Sequence, residues 1–431
     1  MLKHIIYYFT ILILIQGTIM GATITKLQYK GIDIPFIFEK NKQLPIFNLQ
    51  LIFKNSGYIT DKDKSGITSL TSKLLNEGTK KDGAVNFARR LENKAISIDA
   101  GNGLETFVIE ISCLKSEYKE ALKLLNELLS NPNTTQHTLD KLKKLQISKL
   151  EQKENDFDYI ARQNLKKIFF KNTPLENSSS GTIKSIDKIT LDDIKQNIKK
   201  VFNLNNLIII AGGDIKQKDI KEDIKPILAN FKDIKATNFK HISTKTKPTT
   251  KIIKKDTKQA YIYFASPFYI DSKDKDTYKA KVASFILGGS GFGSRLMEEI
   301  RVKRGLAYSA YGYISISKSH SYFTGYLQTS LKNQKEAQKL VKDIISNFVA
   351  KGVTKDELES AKKFLLGSEP LRTETFSQRL NRAFNLYYKG KKQNYPKKEL
   401  KLIQNLKLKD LNNFIKKHIE IENLSFSIVT K

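Results

Sequence analysis

The order of apolar and polar residues predicts a chain that changes repeatedly between strands and helices. A period of two, typical of β-strands, runs through residues 25–39 and 46–55 and ends at a Ser-Gly turn. In residues 66–79 the spacing becomes helical, with Ile67 and Leu70 on one face, and a glycine near the end stops the helix. We therefore expect helices to pack against a sheet in this part of the chain.

The alternation of predicted strands and helices continues over the first half of the chain. Further helices are predicted at residues 84–94, 116–130, 135–153, 159–170 and 190–201, the third of them running on into the fourth. A strand pair is predicted at residues 95–100 and 105–114 around a Gly-Asn-Gly turn, and an apolar strand at residues 207–211. Strands followed by runs of helices favour an α+β fold with an antiparallel or mixed sheet.

The second half of the chain repeats the first. Residues 186–207 align without gaps on residues 403–424, and apolar positions mostly meet apolar positions. This repeat indicates two homologous α/β-layer domains, each with its own sheet and helices. We place the first domain at residues 23–235, a linker rich in lysine and threonine at 236–255, and the second domain at 256–431.

The first 22 residues carry an export pattern. Residues 1–22 have a positive start, an apolar run and small residues at the end, as secretory signal peptides do. The apolar run is shorter than the roughly 20 residues that span a bilayer, so an uncleaved N-terminal anchor is the alternative. No later segment is apolar enough to cross a membrane, and stable membrane insertion is not expected. The expected location is secreted or periplasmic.

Composition narrows the classes of partner. The formal net charge is +31, but the lysines are scattered through nearly every segment and no nucleic-acid-binding motif is present. We interpret this charge as a solvated surface and expect no nucleic-acid partner.

The single cysteine, Cys113, cannot form an intramolecular disulfide and shares an alternating face with Phe107 and Ile109, so it is expected in a core.

A glycine-rich loop followed by arginines is the most distinctive stretch. Its residues include Gly288, Gly289, Gly291, Phe292 and Gly293. Glycine allows positive φ and the close approach of another chain, although a plain structural turn explains the composition equally well. The loop lacks the Gly-Lys-Ser/Thr ending of a phosphate loop, so nucleotide binding is not expected.

Three arginines follow the loop in a chain whose cations are mainly lysine. Arg295, Arg301 and Arg304 lie on or near a short predicted helix, and a strand follows from Tyr308. The planar guanidinium group binds carboxylates and carbonyls through paired N–H groups. Specific contacts are therefore expected here rather than bulk positive charge.

These features resemble the pitrilysin/insulinase-type zinc peptidases, especially the processing-peptidase branch. The resemblance rests on residues 287–296, on Arg301 and Tyr308 seven positions apart, and on residues 66–79 with their Asn-Glu-Gly-Thr ending. It covers nearly all of the chain that follows the signal peptide. It implies two homologous domains that form half of a clam-shell chamber, with a cleft that binds unfolded peptides as an added strand.

The zinc motif of that family is degenerate in this sequence. Family members carry His-x-x-Glu-His on the helix that ends in Gly-Thr, and a further glutamate ligand about 75 residues on. The resemblance puts Ser69 and Lys73 at the histidine positions, Ser72 at the glutamate position and Lys149 at the downstream ligand position. Hydroxyl and ammonium groups do not hold zinc, so we expect no metal or other cofactor on this chain and zinc on a partner subunit.

The arginine and tyrosine of the second domain match the family pattern. By the resemblance, Tyr308 donates a hydrogen bond to the scissile carbonyl as it becomes an oxyanion, and Arg301 holds substrate carbonyls or a carboxylate, both at the zinc site of another subunit. The glycine-rich loop would touch substrate. The alternative is that Arg301 pairs with Glu298 and that Tyr308 is a half-buried strand residue.

The sequence therefore predicts a catalytically incompetent subunit of a secreted heterodimeric zinc peptidase. Its expected partner is a homologous zinc-bearing subunit, and its expected substrates are unfolded peptides. One alternative is a non-enzymatic scaffold or peptide-binding pseudopeptidase, and another is a self-sufficient metalloendopeptidase with unusual ligands. The partner's identity, the natural substrate and the choice between homodimer and heterodimer are left open.

Overall fold

The computed structural model describes residues 21–236, 238–244 and 247–431 and shows two separate sheets. The strands are β1 Thr23–Tyr29, β2 Ile32–Lys40, β3 Ile46–Lys54, β4 Ser97–Asn102, β5 Thr106–Leu114, β6 Leu207–Gly213, β7 Thr250–Lys254, β8 Gln259–Pro267, β9 Ala307–Ile316, β10 Ser321–Ser330 and β11 Ser425–Thr430. The first six form one sheet and the last five form the other. The predicted α+β fold with a duplicated sheet is confirmed.

The strand order shows the duplication directly. The first sheet has the order β1-β2-β6-β3-β5-β4, and the second has the order β7-β11-β8-β10-β9. In the first sheet β6 runs parallel to β2 and antiparallel to β3. In the second sheet β11 runs parallel to β7 and antiparallel to β8 in the same way. Both sheets are therefore mixed, and β1 is an addition to the first.

Helices fill the segments between the strands. They are α1 Ile67–Leu75, α2 Gly83–Glu92, α3 Tyr118–Ser130, α4 Gln136–Gln152, α5 Phe157–Phe169, α6 Ile183–Lys188, α7 Leu191–Val201, α8 Gln217–Asp223, α9 Lys225–Leu228, α10 Thr277–Ser284, α11 Arg295–Met297, α12 Gln334–Lys351, α13 Lys355–Gly367, α14 Phe376–Tyr388, α15 Tyr395–Gln404 and α16 Leu408–Lys417. Two π-helical turns, Phe285–Gly289 and Glu298–Val302, lie on either side of the glycine-rich loop.

Each sheet buries one face against helices of its own half. In the first half, Phe47 and Phe107 share a core with Leu125 of α3. In the second half, Phe426 of β11 shares a core with Val341 of α12. Full burial of one such side chain contributes roughly 1.5–3 kcal/mol, so these two cores supply much of the stability of the fold.

The opposite face of each sheet is covered by a helix from the other half. Helix α5 packs on β8 and β11 of the second sheet, where Phe169 is buried. Helix α14 packs on β2 and β6 of the first sheet, where Phe376 is buried. The two helices occupy corresponding places in the internal repeat, and each begins with a side-chain cap, Asp156 or Thr375. The two halves thus cover each other's sheets reciprocally.

Two predicted elements are divided in the structure. Residues 25–39, predicted as one strand, form the hairpin of β1 and β2, because Lys30 and Gly31 both adopt positive φ between them. The helical pattern of residues 135–170 breaks between α4 and α5. Asp156 stops the continuation there, because its carboxylate accepts a hydrogen bond from the backbone N of Tyr159 (3.0 Å) and begins a new helix.

Part of the predicted linker is a strand, which corrects the interpretation of residues 236–255. Strand β7 lies within this range and pairs with β11 at the edge of the second sheet. Four of its five side chains are exposed, so it lacks the apolar pattern of a buried strand. Ile242 also donates its backbone N–H to the carbonyl of Ser319 (2.6 Å), which ties the segment to the second half. The domain boundaries themselves stay a prediction.

Cys113 is buried in the first core, as predicted, and burial raises the pKa of its thiol to about 12. The predicted signal peptide, residues 1–22, lies almost wholly outside the described residues. In the part of the chain that the structure describes, no helix has the length and apolar character needed to cross a bilayer.

Candidate functional site

Helix α1 carries the positions at which the zinc motif is degenerate. Gly66 takes φ +95° immediately before the helix, a conformation that favours glycine. Leu70 and Leu74 are fully buried in a local core with α4 and α7. This anchoring fixes Ser72 and Lys73 on the remaining face, where they contact β4 and α4.

The two serines form part of a small polar network with β4. The Oγ of Ser72 lies 2.9 Å from the backbone O of Ser69 and 3.1 Å from Oδ1 of Asn102, and it can donate to either. The Nδ2 of Asn102 is buried and has no hydrogen-bond partner in the described residues. The side-chain amide of Asn102 therefore has an unused hydrogen-bond donor group.

Lys73 contacts a neutral amide. Its Nζ donates to Oε1 of Gln146, and Nε2 of Gln146 donates to the carbonyl of Ser180 (2.8 Å), which fixes the orientation of the amide. Lys149, predicted at the downstream ligand position, is exposed one helical turn beyond Gln146. Burial lowers the pKa of Lys73, and the charges of Lys149 and Lys153 lower it further.

These groups do not fit a zinc ion. Zinc is bound in proteins by thiolates, neutral imidazoles and carboxylates, whereas this place offers hydroxyls, amides and ammonium groups. Nowhere in residues 21–236, 238–244 and 247–431 do three or more His, Cys, Asp or Glu side chains form a group that could hold a metal. Among the described residues, helix α1 and its neighbours therefore lack the side chains that would hold a catalytic metal.

Asn76, the C-cap residue of α1, closes part of the free edge of β4. This strand is the last of its sheet, so one side of its backbone lacks a neighbouring strand. The Nδ2 of Asn76 donates to the O of Ala100 (3.0 Å), and the N of Ala100 donates to Oδ1 of Asn76 (2.7 Å). The amide thus occupies the position that an added peptide strand would take at Ala100.

The glycines of the loop differ in what they do. A Cβ on Gly288 would lie 2.6 Å from the backbone N of Gly312, so this glycine permits close packing on β9. Its role is therefore structural, as in the alternative of a plain turn. Gly291 (φ +68°) and Gly293 (φ +86°) need left-handed backbone and face open space. Gly289 is exposed. A role of this loop in substrate binding stays a prediction.

Arg301 lies between two exposed aromatic rings. Its Cζ is 4.7 Å from the ring centroid of Phe292 and 4.6 Å from that of Tyr308. Phe292 is 69% exposed and Tyr308 is 82% exposed. In the described part of the chain the guanidinium makes no ion pair or hydrogen bond, so its N–H groups are free to bind a ligand. The alternative with an Arg301–Glu298 pair and a half-buried Tyr308 does not match this geometry.

The two neighbouring arginines are used internally. Arg295 donates from Nε and Nη2 to the carboxylate of Glu357 at 2.5 and 2.7 Å. Arg304 donates from Nη1 to Glu299 at 2.6 Å. The bidentate contact expected from the sequence is therefore present at Arg295, whereas the exposed Arg304 contacts Glu299 through one nitrogen. Arg301 has no such partner in the described residues.

A β-bulge at the start of β9 sets the direction of Tyr308. Tyr308 and Ser309 stand opposite the single residue Gln328 of β10. Such bulges bend a strand and redirect its side chains. Here the bulge and the π-helical turn Glu298–Val302 together bring Tyr308 and Arg301 side by side at the exposed edge of the second sheet.

Comparison with known proteins identifies the family. Residues 37–183 match the family model described as insulinase (peptidase family M16), and residues 188–365 match the peptidase M16 inactive domain. The non-peptidase homolog YmxG of Helicobacter pylori is 45% identical over 420 residues, which cover 97% of each chain. This chain belongs to peptidase family M16.

Solved structures match the fold of nearly the whole chain. A peptidase M16 inactive domain from Pseudomonas fluorescens matches with a TM-score of 0.85 and 24% identity, over 95% of this chain and 98% of that one. A chain of complex III2 from Candida albicans matches with a TM-score of 0.75 and 17% identity, over 95% and 96%. At these identities the likeness shows the fold alone.

The M16 chain is a catalytically inactive member of its family. Its relative from H. pylori is a non-peptidase homologue, and the side chains of Ser69, Ser72, Lys73 and Lys149 are unsuited to zinc. The alternative of a self-sufficient metalloendopeptidase finds no fitting set of metal ligands among the described residues.

Some residues at these M16 sites are missed by sequence reasoning. Gln146 lies in the stretch that contains Lys149, three positions earlier on the same helix face, and that spacing is the signal that could have revealed it. Asn76 and Asn102 give no comparable signal, because their partners come from other elements. Phe292 is predicted only as part of the loop, and its contact with Arg301 depends on the folded turn.

Proposed function

We propose that this M16 chain is the non-catalytic subunit of a heterodimeric zinc peptidase outside the cytoplasm. It would supply Arg301 and Tyr308 to the zinc site of a homologous partner that cleaves unfolded peptides. The observation that carries the proposal is the state of Arg301, whose guanidinium has no carboxylate partner in the described residues and stands at the surface beside the Tyr308 ring. A guanidinium without a carboxylate partner adds little to the stability of the fold, so its donors are available to a ligand.

The geometry suits the two roles. The rings of Phe292 and Tyr308 lie 4.7 and 4.6 Å from Cζ of Arg301, and its N–H groups have no acceptor in the described residues, so they can bind peptide carbonyls or a carboxylate. The exposed hydroxyl of Tyr308 can donate to the oxyanion that develops on the scissile carbonyl. Zinc on the partner would activate the attacking water. Stacking also restricts the rotamers of Arg301 before substrate binds, which lowers the entropy cost of positioning it.

The test is peptidase activity toward an unstructured peptide for three samples: this chain, an M16 homologue that retains His-x-x-Glu-His, and their mixture. We expect activity in the mixture only. Tyr308→Phe and Arg301→Lys should each lower it about 10²-fold, the scale of losing one oxyanion donor. Arg301→Lys keeps the charge and removes the planar pair of donors.

Matched controls separate these roles from general effects on folding or charge. Arg304→Lys changes an arginine that is already paired with Glu299, and Tyr313→Phe removes a hydroxyl further along β9. Both should leave the activity of the mixture within about twofold, well short of the change expected at the two sites. A homologue that is fully active alone and unchanged by this chain would refute the proposal.

A second candidate function is a non-enzymatic scaffold or peptide-binding pseudopeptidase. The contact of Asn76 with Ala100 favours the scaffold form, because it obstructs strand addition at the edge of β4. In that case the two chains would associate without gain of activity, and substitutions at Arg301 and Tyr308 would change neither association nor turnover.

A further inference from the structure

Three lysines gather at the former metal-binding place without an anionic partner. Lys73 contacts Gln146, and Lys149 and Lys153 follow Gln146 three and seven positions on, so they lie along the same side of α4 and its C-terminal turn. None of the three lysines makes an ion pair in residues 21–236, 238–244 and 247–431. Elsewhere in the chain many lysines do pair with carboxylates, as Lys141 does with Glu77.

The arrangement around Lys73 is electrostatically incomplete. Its side chain is half-buried, its hydrogen-bond partner is a neutral amide, and the neighbouring charges that lower its pKa are those of Lys149 and Lys153. A buried charge is costly unless it is paired with an opposite charge. A bound anion would remove this cost and would also screen the repulsion among the three lysines.

A further donor lies on β4, where Asn102 contacts Ser72, the residue that precedes Lys73. The Oδ1 of Asn102 lies 3.1 Å from the Ser72 hydroxyl, whereas the Nδ2 of the same amide is buried and has no hydrogen-bond partner in the described residues. An unpaired buried N–H group is destabilising, so an acceptor in its neighbourhood would be stabilising. Ammonium and amide donors together are complementary to an oxyanion and unsuited to a cation.

We propose that the degenerate zinc site of this chain is a carboxylate-binding site for peptides. The ligand is either the C-terminal carboxylate of a peptide or the side chain of an aspartate or glutamate. Asn76 closes the edge of β4 at Ala100, so the ligand is held through its carboxylate rather than as an added strand. This inference concerns the first half of the chain and does not depend on the role proposed for Arg301 and Tyr308.

The experiment measures binding of three dye-labelled, unstructured peptides to the full chain by fluorescence anisotropy at physiological ionic strength. One peptide has a free C-terminal carboxylate and no acidic residue, the second is its C-terminal amide, and the third is the amide with one internal glutamate. We expect the amide to bind at least about tenfold more weakly than the acid, as for the loss of one charge-assisted contact. If the internal glutamate restores the affinity of the amide, the site binds a side-chain carboxylate.

Charge-reversal variants locate the site. Lys149→Glu, at an exposed position, should abolish the preference for the acid, and Lys73→Met should do the same. Lys144→Glu is the matched control, because it makes the same charge change at an exposed position of the same helix. It should change the affinity less than about twofold, since residues two positions apart on a helix, such as 144 and 146, do not face each other, and an exposed charge on another face is screened by solvent and salt.

Two outcomes would overturn the proposal. One is equal affinity for all three peptides, and the other is an equal loss in Lys144→Glu and Lys149→Glu, which would indicate general attraction to a chain of net charge +31. If Lys73→Met fails to fold, the result for Lys149→Glu alone tests the proposal. The readout is binding to this chain without a partner, so its failure is distinguishable from failure of the peptidase mixture.

Discussion

Arg295 and Arg301 lie six positions apart, yet the fold uses them in different ways. The guanidinium of Arg295 is half-buried and makes two hydrogen bonds to Glu357 and one to the carbonyl of Gly352 (2.7 Å). That of Arg301 lies against the Phe292 and Tyr308 rings and makes no hydrogen bond or ion pair in the described residues. An arginine that satisfies its donors internally stabilises the fold, and one that does not is available for a ligand.

Substitution should separate the two roles. Arg295→Ala leaves the half-buried carboxylate of Glu357 without its cation, so we expect the free energy of unfolding to fall by roughly 2 kcal/mol or more. Arg301→Ala removes only exposed ring contacts and should change it by no more than about 0.5–1 kcal/mol. Urea denaturation followed by circular dichroism measures both. Equal losses in the two variants would mean that Arg301 has a structural role that its contacts do not reveal.

The sequence predicts residue types better than it predicts their partners. The pairing of Arg301 with Tyr308 and the loss of ligands at Ser69, Ser72 and Lys73 are visible as local patterns. The partner of Arg295 is not, because Glu357 comes from α13, and only the folded second core brings the two helices together. A residue's own spacing carries no information about such distant neighbours.

Elements with strong periodicity are well predicted, and elements at edges are not. The repeat of residues 186–207 in 403–424 is confirmed by matching strand orders, because both copies must bury the same faces. Strand β7 is missed, since an exposed edge strand has no buried face to mark it. The turn between β1 and β2 is missed because Lys30 adopts positive φ, which lysine seldom does.

The edge of β4 gives a prediction for a single element. Asn76→Ala removes both hydrogen bonds to the backbone of Ala100, which is buried, so the free energy of unfolding should fall by about 1–3 kcal/mol. Asn76→Asp retains the acceptor for the backbone N–H and should lose less. Chemical denaturation measures the three proteins side by side. Identical stability of Asn76→Ala and the unsubstituted chain would show that water replaces the amide at this edge.

At the scale of the whole molecule, the two halves meet through buried polar groups as well as through α5 and α14. Glu39 of β2 accepts from Nε of Arg379 on α14 (2.7 Å). On the other side, Ser319 donates its N–H to Glu105 (2.7 Å), and the adjacent His320 packs on the ring of Phe170. Such contacts join the halves into one structure, so their loss should lower the stability of both halves.

His320 makes this junction sensitive to acid. It is 6% exposed, and burial lowers its pKa to about 4 from the ordinary value of 6.5. Between these two values the unfolded chain binds a proton that the folded chain excludes, so stability falls as the pH drops from about 6.5 to about 4. A difference of this size corresponds to roughly 3 kcal/mol.

The measurement compares thermal or urea unfolding of the unsubstituted chain and His320→Gln at pH 7 and pH 4.5. Both proteins lose stability in acid through their carboxylates, but the variant should lose less, by up to about 3 kcal/mol. His137→Gln, at an exposed position of α4, is the control and should follow the unsubstituted chain. If His320→Gln loses as much stability in acid as the unsubstituted chain, the His320 ring is protonated in the folded state.

The reciprocal exchange of α5 and α14 has a consequence for biosynthesis. When a ribosome has made β6, the first sheet is complete in sequence, but the helix that covers its apolar outer face, with Ile37, Ile208 and Ile210, is still roughly 160 residues away. At roughly 5–20 residues per second, that face stays uncovered for about 10–30 s. The nascent first half is thus a natural client for a holdase chaperone, and its dependence on one ends only when the chain is nearly finished.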